Sequence, residues 1–338
     1  MIDMNERPTL AIRNSYVRQP VIVDGMMRVG KFYYDAVVSN MERCEIWQFN
    51  SLLETIPILN LVGAMDERLA VSLFRQEMDV RFYYGLLGRQ TNFRFDDRSS
   101  IWHHHNPGEY FHRIFNKDES GVIENIDKSD AIFCLSLHDA TANARFLFKA
   151  YPDLRLIYGR RNPLDVAYSW HMKNWGDRIG SDPRSVFLAF EGKKGPVPWH
   201  ALGWSEKYEN MSAMDRIIES IDHITKITDA EIECLAPKHR AQLLVVNFEH
   251  AAGFPEEFVA MVAQHIGTVP AHSMAKCLKD ERMPRHFSRA DWDMRAAEIR
   301  KHASAASFEK LLDMVARHHQ NSIDRFAIDT EALRLQGT

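Results

Sequence analysis

The sequence predicts an α/β fold: a central parallel sheet flanked by helices. Three observations carry that expectation. Short β-branched, apolar runs recur along the chain, too short for helices and bounded by turn residues. Stretches with apolar residues at helical spacing follow them, the alternation of a parallel sheet. Two strand-to-helix junctions carry glycine or arginine where an anion would be held.

The elements follow in order. Residues 1 to about 17 are polar and irregular and read as a lead-in to one domain over 18–338. PVIVDG (Pro20–Gly25) is a buried strand. KFYYDAVVSNMERC then fits a helix, with Phe32, Ala36, Val37 and Met41 on one side. EIWQFN (Glu45–Asn50) reads as a second strand, and Met65–Gln90 as one long helix or two. Thr91–Phe115 is rich in aromatics and histidines, with turn residues inside it. AIFCLSL (Ala131–Leu137) is a strand and Ala140–Ala150 a short helix. LRLIYG (Leu154–Gly159) is a strand, followed by a helix through about Trp175. Helical spacing returns at Ile217, Ile221 and Ile224. LLVVNF (Leu243–Phe248) is the last clear strand, and Phe258, Val262 and Ile266 stripe the helix after it. No internal repeat or low-complexity linker divides the chain.

Composition narrows the function. The 338 residues are 45% hydrophobic and 26% charged, ordinary for a globular protein. A formal net charge of −4 offers no global attraction to nucleic acid, so any anion site is local. The four cysteines are scattered without a C-x-x-C pair, which argues against a disulfide framework or zinc ribbon. The charged N-terminus is no signal peptide, and no apolar run is long enough to span a bilayer. A reducing cytoplasm is the simplest address.

Two motifs carry chemistry. Gly25, four residues, Gly30 and Lys31 fit the start of the phosphate loop G-x-x-x-x-G-K-[S/T]. The last position should hold Mg²⁺ through a hydroxyl, and here it is Phe32. The second motif lies in YPDLRLIYGRRNPLDVAYSWHMKNW. Its strand ends in Arg160 and Arg161; Asn162 is a good N-cap and Pro163 suits the first helical turn. Asp165 is assigned to capping. Ser169 follows Arg161 by eight residues, so guanidinium and hydroxyl can converge on one anion. This reads as a second phosphate site, separate from the glycine loop.

Arg-Asn-Pro-x-Asp-Val-x-x-Ser after an apolar strand resembles the 3′-phosphate motif of the sulfotransferases. These use 3′-phosphoadenosine-5′-phosphosulfate (PAPS). Their glycine loop is similar to GMMRVGKF here, and Leu243–Gly267 resembles their late strand ending in an aromatic-acidic pair, then a loop and a helix. The resemblance spans about residues 20 to 267. It implies a P-loop nucleotide-kinase-like sulfotransferase fold, PAPS as co-substrate and no metal. Gly25, Met27, Arg28, Val29, Gly30, Lys31 and Phe32 would cradle the 5′-phosphosulfate, and Arg161 and Ser169 the 3′-phosphate. Arg28 would stabilise charge as the S–O bond breaks. A sulfuryl group carries less negative charge than a phosphoryl group, so a loop without a Mg²⁺ ligand suits it better than it suits an ATPase. Lys31 and Phe32 depart from the family's usual Thr and Ser/Thr. Lys31 would supply charge in their place, and Phe32 a wall near the adenosine, or core.

The acceptor hydroxyl needs a base. His138 ends the strand AIFCLSL, and SLHDA is similar in position to the Lys-Ser/Thr-His segment of the family's soluble members, where the histidine takes the acceptor proton. Glu45 is the alternative. Trp199 is a candidate for stacking on adenine, with aromatic core as the other reading. His103, His104 and His105 are adjacent on one segment and form no spaced metal set. Trp102, Tyr110 and Phe111 beside them would shape the acceptor pocket or fill core. Glu249 is a structural acid, and ERMPRHFSR (Glu281–Arg289) a basic loop over the nucleotide. The acceptor is expected to be a small molecule or carbohydrate, with no nucleic-acid partner. The rivals are a P-loop kinase or NTPase, and a PAPS-binding protein without transfer activity. The sequence sets no oligomeric state.

Overall fold

The computed structural model describes residues 11, 14–115, 119–126, 128, 130–179, 182 and 187–320. Most of the expected lead-in lies outside these residues.

Five parallel strands form the central sheet in the order β2-β3-β1-β4-β7. They are β1 (Val21–Asp24), β2 (Gln48–Phe49), β3 (Cys134–Ser136), β4 (Arg155–Arg160) and β7 (Leu243–Asn247). A separate antiparallel hairpin joins β5 (Ala189–Glu191) to β6 (Pro196–Pro198). β1 is central: Val23 lies opposite Ser136 of β3 on one side and Ile157 of β4 on the other. The chain passes first to one side of β1 and then to the other. That makes the carboxyl end of β1 a topological switch point, where open α/β sheets bind ligands. The glycine loop emerges there.

Apolar residues cover both faces of the sheet. Tyr33, Tyr34, Val37 and Val38 of the helix Lys31–Ser39 pack with Val21, Val23 and Ile157. Ile22, Leu135 and Leu156 point to the opposite face, against Phe146 and Phe148 of the helix Ala144–Ala150 and Phe74 of Glu67–Leu86. The alternation of Val21, Ile22 and Val23 between the two faces is the two-residue period of a strand.

Three expectations are corrected. Phe32 is not core: it is 54% exposed, because the helix turns Tyr33 and Tyr34 inward instead. Of Glu45–Asn50 only Gln48–Phe49 joins the sheet; Glu45 is drawn to Arg113. Ser51–Leu61, a helix the sequence reading passed over, is capped by the Asn50 side chain, which accepts from Leu52 and Leu53. Met65–Gln90 proves to be one helix, Glu67–Leu86, capped by Asp66. Among the described residues no helix is long and apolar enough to cross a membrane.

Candidate active site

The glycine loop is bent by two glycines that no other residue could replace cheaply. Gly25 has φ 147°, and a Cβ there would stand 2.6 Å from the Gly159 carbonyl oxygen. Gly30 has φ 100° and lies directly on the Phe248 ring. Gly30 caps the helix Lys31–Ser39, so the positive end of that helix faces the loop. The N–H groups of Met27, Arg28 and Gly30 meet no acceptor among the described residues. That is the donor arrangement an anion needs.

The two motifs meet. Arg28 Nε donates to Ser169 Oγ at 2.8 Å, and Arg161 Nη1 donates to the Arg28 carbonyl at 3.0 Å. The two motifs that the sequence separates therefore form one continuous cationic wall. Asn162 caps its helix through Leu164 as expected. Asp165 does not cap: its buried carboxylate accepts from Arg161 at 3.4 Å and pairs with Arg295. Phe248 is the platform beneath the wall. The Arg161 and Arg285 guanidiniums lie 4.7 and 5.3 Å from its ring centre. Arg285 comes from the basic loop Glu281–Arg289. Glu249, beside Phe248, accepts from the Asn162 N–H at 3.0 Å, a structural role.

Arg28, Gly30, Arg161, Phe248 and Arg285 line a cleft of about 440 Å³. Seven basic side chains face it: Arg28, Lys31, Arg98, Arg161, Lys173, Arg178 and Arg285. Its acid is Glu281, already paired with Arg98. Such a concentration in a chain of net charge −4 marks an anion site. Burial holds Arg28 below the usual guanidinium range, and the neighbouring Arg161 adds to it. Arg285 is lowered by burial and then by Arg161, Arg98 and Arg282. The Arg161 Nε–H is buried without a partner among the described residues.

His138 stands across the cleft, at the end of β3, with Phe49 against its ring. Its Nδ1 lies 2.7 Å from Glu54 Oε2, and its backbone N–H donates to the same oxygen at 3.0 Å. Burial and the Lys31 charge push the imidazole well below its ordinary range, so it is neutral. Burial raises Glu54 to about 8. Sequence reasoning missed Glu54, whose only local signal is a carboxylate on the apolar face of SLLETIPILNL.

Lys31 does not extend freely into the cleft. It is 7% exposed, and its ammonium donates to the Leu137 carbonyl. Burial lowers it, against the opposing pull of Asp24, Glu54, Asp35 and Asp139. Its charge serves those buried carboxylates first. Phe32 lines the cleft beside Trp47, 5.7 Å between ring centres, in the position where a kinase would hold Mg²⁺. Met27 also lines the cleft, while Val29 is buried behind the loop.

Two candidates are elsewhere. Trp199 is 4% exposed and packs near Met27 and Phe187, outside the large cleft. Glu45 is taken by Arg113 in two 2.7 Å hydrogen bonds and by Tyr110, which hold it below its ordinary range despite burial. It is a structural ion pair, not a base. His104 and His105 bond to the carbonyls of Cys44 and Ser39 and do not converge with His103 on a shared ion.

No family model and no curated protein sequence matches the chain. Among solved structures it is similar to the sulfotransferase STF9 of Mycobacterium avium: TM-score 0.45, 10% identity, over 92% of this chain and 79% of that one. The sulfotransferase STF1 of Mycobacterium tuberculosis H37Rv gives TM-score 0.43 and 12% identity, over 89% and 77%. The sulfotransferase domain of the Synechococcus PCC 7002 olefin synthase gives TM-score 0.43 and 11% identity, over 98% of both chains. The structures it is similar to are sulfotransferases. Overlaps this loose leave function to be argued from the site itself.

Proposed function

We propose that the protein is a sulfotransferase that moves a sulfuryl group from PAPS to a hydroxyl of a small-molecule or carbohydrate acceptor, without a metal at the reacting centre. The observation that carries this reading is a convergence. Glycine-loop residues, Arg28, Arg161 and Arg285 line one cleft, Ser169 is bonded to Arg28 beside it, and His138 lines the same cleft.

The site fits a nucleotide with separate anionic groups. Arg161, Ser169 and Arg285 would hold the 3′-phosphate, and Gly30 with the loop N–H groups the 5′ end. Arg28, between the two, would offset charge that builds on the leaving phosphate. Bound PAPS supplies an electrophilic sulfur. An ionised Glu54 accepts the Nδ1–H of His138 and leaves the Nε2 lone pair to take the acceptor proton. Phe32, Trp175 and Phe187 give the cleft apolar walls for the acceptor. Phe32 in place of a hydroxyl disfavours Mg²⁺-dependent phosphoryl transfer.

The test uses full-length protein in EDTA, with PAPS and a panel of phenols, alkyl alcohols and sugars. Release of adenosine 3′,5′-bisphosphate with a sulfated product is expected. Binding of the bisphosphate without turnover of any acceptor would leave only a binding protein. Mg²⁺-dependent ATP turnover with no response to the bisphosphate would overturn the reading.

A further inference from the structure

Outside the cleft, one cluster has metal-ligand chemistry that the sequence did not reveal. Glu298 and His302 stand four residues apart on the helix Arg289–His302, on one face. His171 ends the helix Pro163–His171, the helix that carries Ser169. One ligand atom from each of the three lies within 4.8 Å of the others. Glu298 Oε1 and His302 Nε2 are 3.3 Å apart, and the two imidazole rings are 4.7 Å apart between centres.

These observations carry more than a surface ion pair would. Glu298 is already satisfied through its second oxygen by Lys301 at 2.7 Å. The His171 imidazole has no hydrogen-bond partner among the described residues, yet it is held against the ring of His302. Two imidazoles and a carboxylate are a ligand set for Zn²⁺ and its neighbours, not for Mg²⁺ or Ca²⁺. Zn–N and Zn–O bonds of about 2.1 Å place tetrahedral ligands roughly 3.4 Å apart. The Glu298–His302 pair already has that spacing. Rotation of the half-exposed His171 side chain supplies the rest.

We propose that His171, Glu298 and His302 form a Zn²⁺-class site, with water as fourth ligand, that staples the helix Arg289–His302 to the helix bearing Ser169. The two helices already share an apolar core, Trp292, Ala296 and Ile299 clustering with Leu164, Ala167 and Trp170, and Arg295 pairs with Asp165 and lies 5.8 Å over the Tyr168 ring. The ion adds a polar joint at the far end, two residues beyond Ser169. It is structural and takes no part in the transfer, so the site stands or falls independently of the sulfotransferase reading.

The test is calorimetric titration of Zn²⁺ into chelator-treated, full-length protein without a polyhistidine tag. Co²⁺ absorption reports the coordination geometry. One Zn²⁺ per chain is expected, with visible d–d bands for Co²⁺ and a melting temperature that rises with Zn²⁺. His171→Ala and His302→Ala should each weaken binding at least tenfold and abolish the rise in melting temperature. The metal-free variants should melt like the metal-free wild type. His302 is 47% exposed in its side chain, so His302→Ala carries the test should His171→Ala fold poorly. Absence of Zn²⁺ binding would overturn the proposal. So would binding unchanged in His302→Ala, which would place the ion among the other histidines.

Discussion

Replacing Arg161 with alanine separates a ligand-binding arginine from a structural one. The Arg161 side chain is 20% exposed and makes two hydrogen bonds to protein. One goes to the Arg28 carbonyl at 3.0 Å and one, at 3.4 Å, to Asp165. The second is long enough to contribute little. Asp165 keeps Arg295 when Arg161 is gone, so no buried carboxylate is left alone. Against these small losses stands a gain: Arg161 is the charge that disfavours protonation of both Arg28 and Arg285. Without ligand, Arg161→Ala should therefore change stability by less than about 1 kcal/mol. A bound phosphate would lose a charged hydrogen-bond partner, worth roughly 1.5–3 kcal/mol. The dissociation constant of adenosine 3′,5′-bisphosphate should rise by roughly 10- to 150-fold. Calorimetric titration in EDTA measures the affinity, and urea unfolding of the unliganded protein measures the stability. Affinity within threefold of wild type in a folded variant would refute the assignment of Arg161 to the nucleotide. A loss of several kcal/mol of stability would show that Arg161 is instead a structural partner of Asp165.

Two further predictions address the base and the loop. Glu54 is raised to about 8 by burial, and its ionised form is the one that fixes the Nδ1–H of His138. The turnover rate should rise with pH through about 8. Glu54→Gln, which can still accept from Nδ1–H, should flatten that rise, and an unchanged pH–rate profile would remove Glu54 from the mechanism. The same shift acts on stability. The unfolded chain ionises Glu54 near its ordinary value while the folded chain keeps it protonated, so stability falls as pH rises from about 4.5 to about 8. Glu54→Gln should lessen that fall by up to about 1.4 kcal/mol per pH unit, read by urea unfolding across the range. Gly30→Ala would force a side chain into a left-handed backbone and onto the Phe248 ring. We expect a loss of about 2 kcal/mol or more in urea unfolding, with weaker bisphosphate binding because Phe248 supports Arg161 and Arg285. Stability within about 0.5 kcal/mol of wild type would contradict the packing described for the loop.

The local parts of this protein were legible in its sequence. Strands of the parallel sheet announced themselves by β-branched runs, and Gly25, Gly30, Asn162 and Pro163 by backbone demands that neighbours in sequence impose. The spacing of Arg161 and Ser169 suggested that both reach one place; in the fold both meet Arg28, Arg161 at its carbonyl and Ser169 at its guanidinium. The helix from Ser51 was not legible, because SLLETIPILNL has apolar residues at nearly every position, which blurs the helical stripe, and carries a proline. Nor was the exposure of Phe32, since either rotation of that short helix presents aromatic residues to the sheet.

What tertiary structure decided are the pairings between distant residues. Arg28 meets Ser169 across 141 positions, and Glu54 meets His138 across 84. Phe248, which opens the helix after the last strand, supports arginines from two other segments, and His171 meets Glu298 and His302 only where two helices pack. Each pairing depends on which strand lies beside which. Sheet order follows from how all the apolar faces are buried together, and no local stretch of sequence encodes that. The sequence by itself determined the two basic motifs, each at the end of a strand. The packing of the sheet brought both to one basic cleft that His138 also lines.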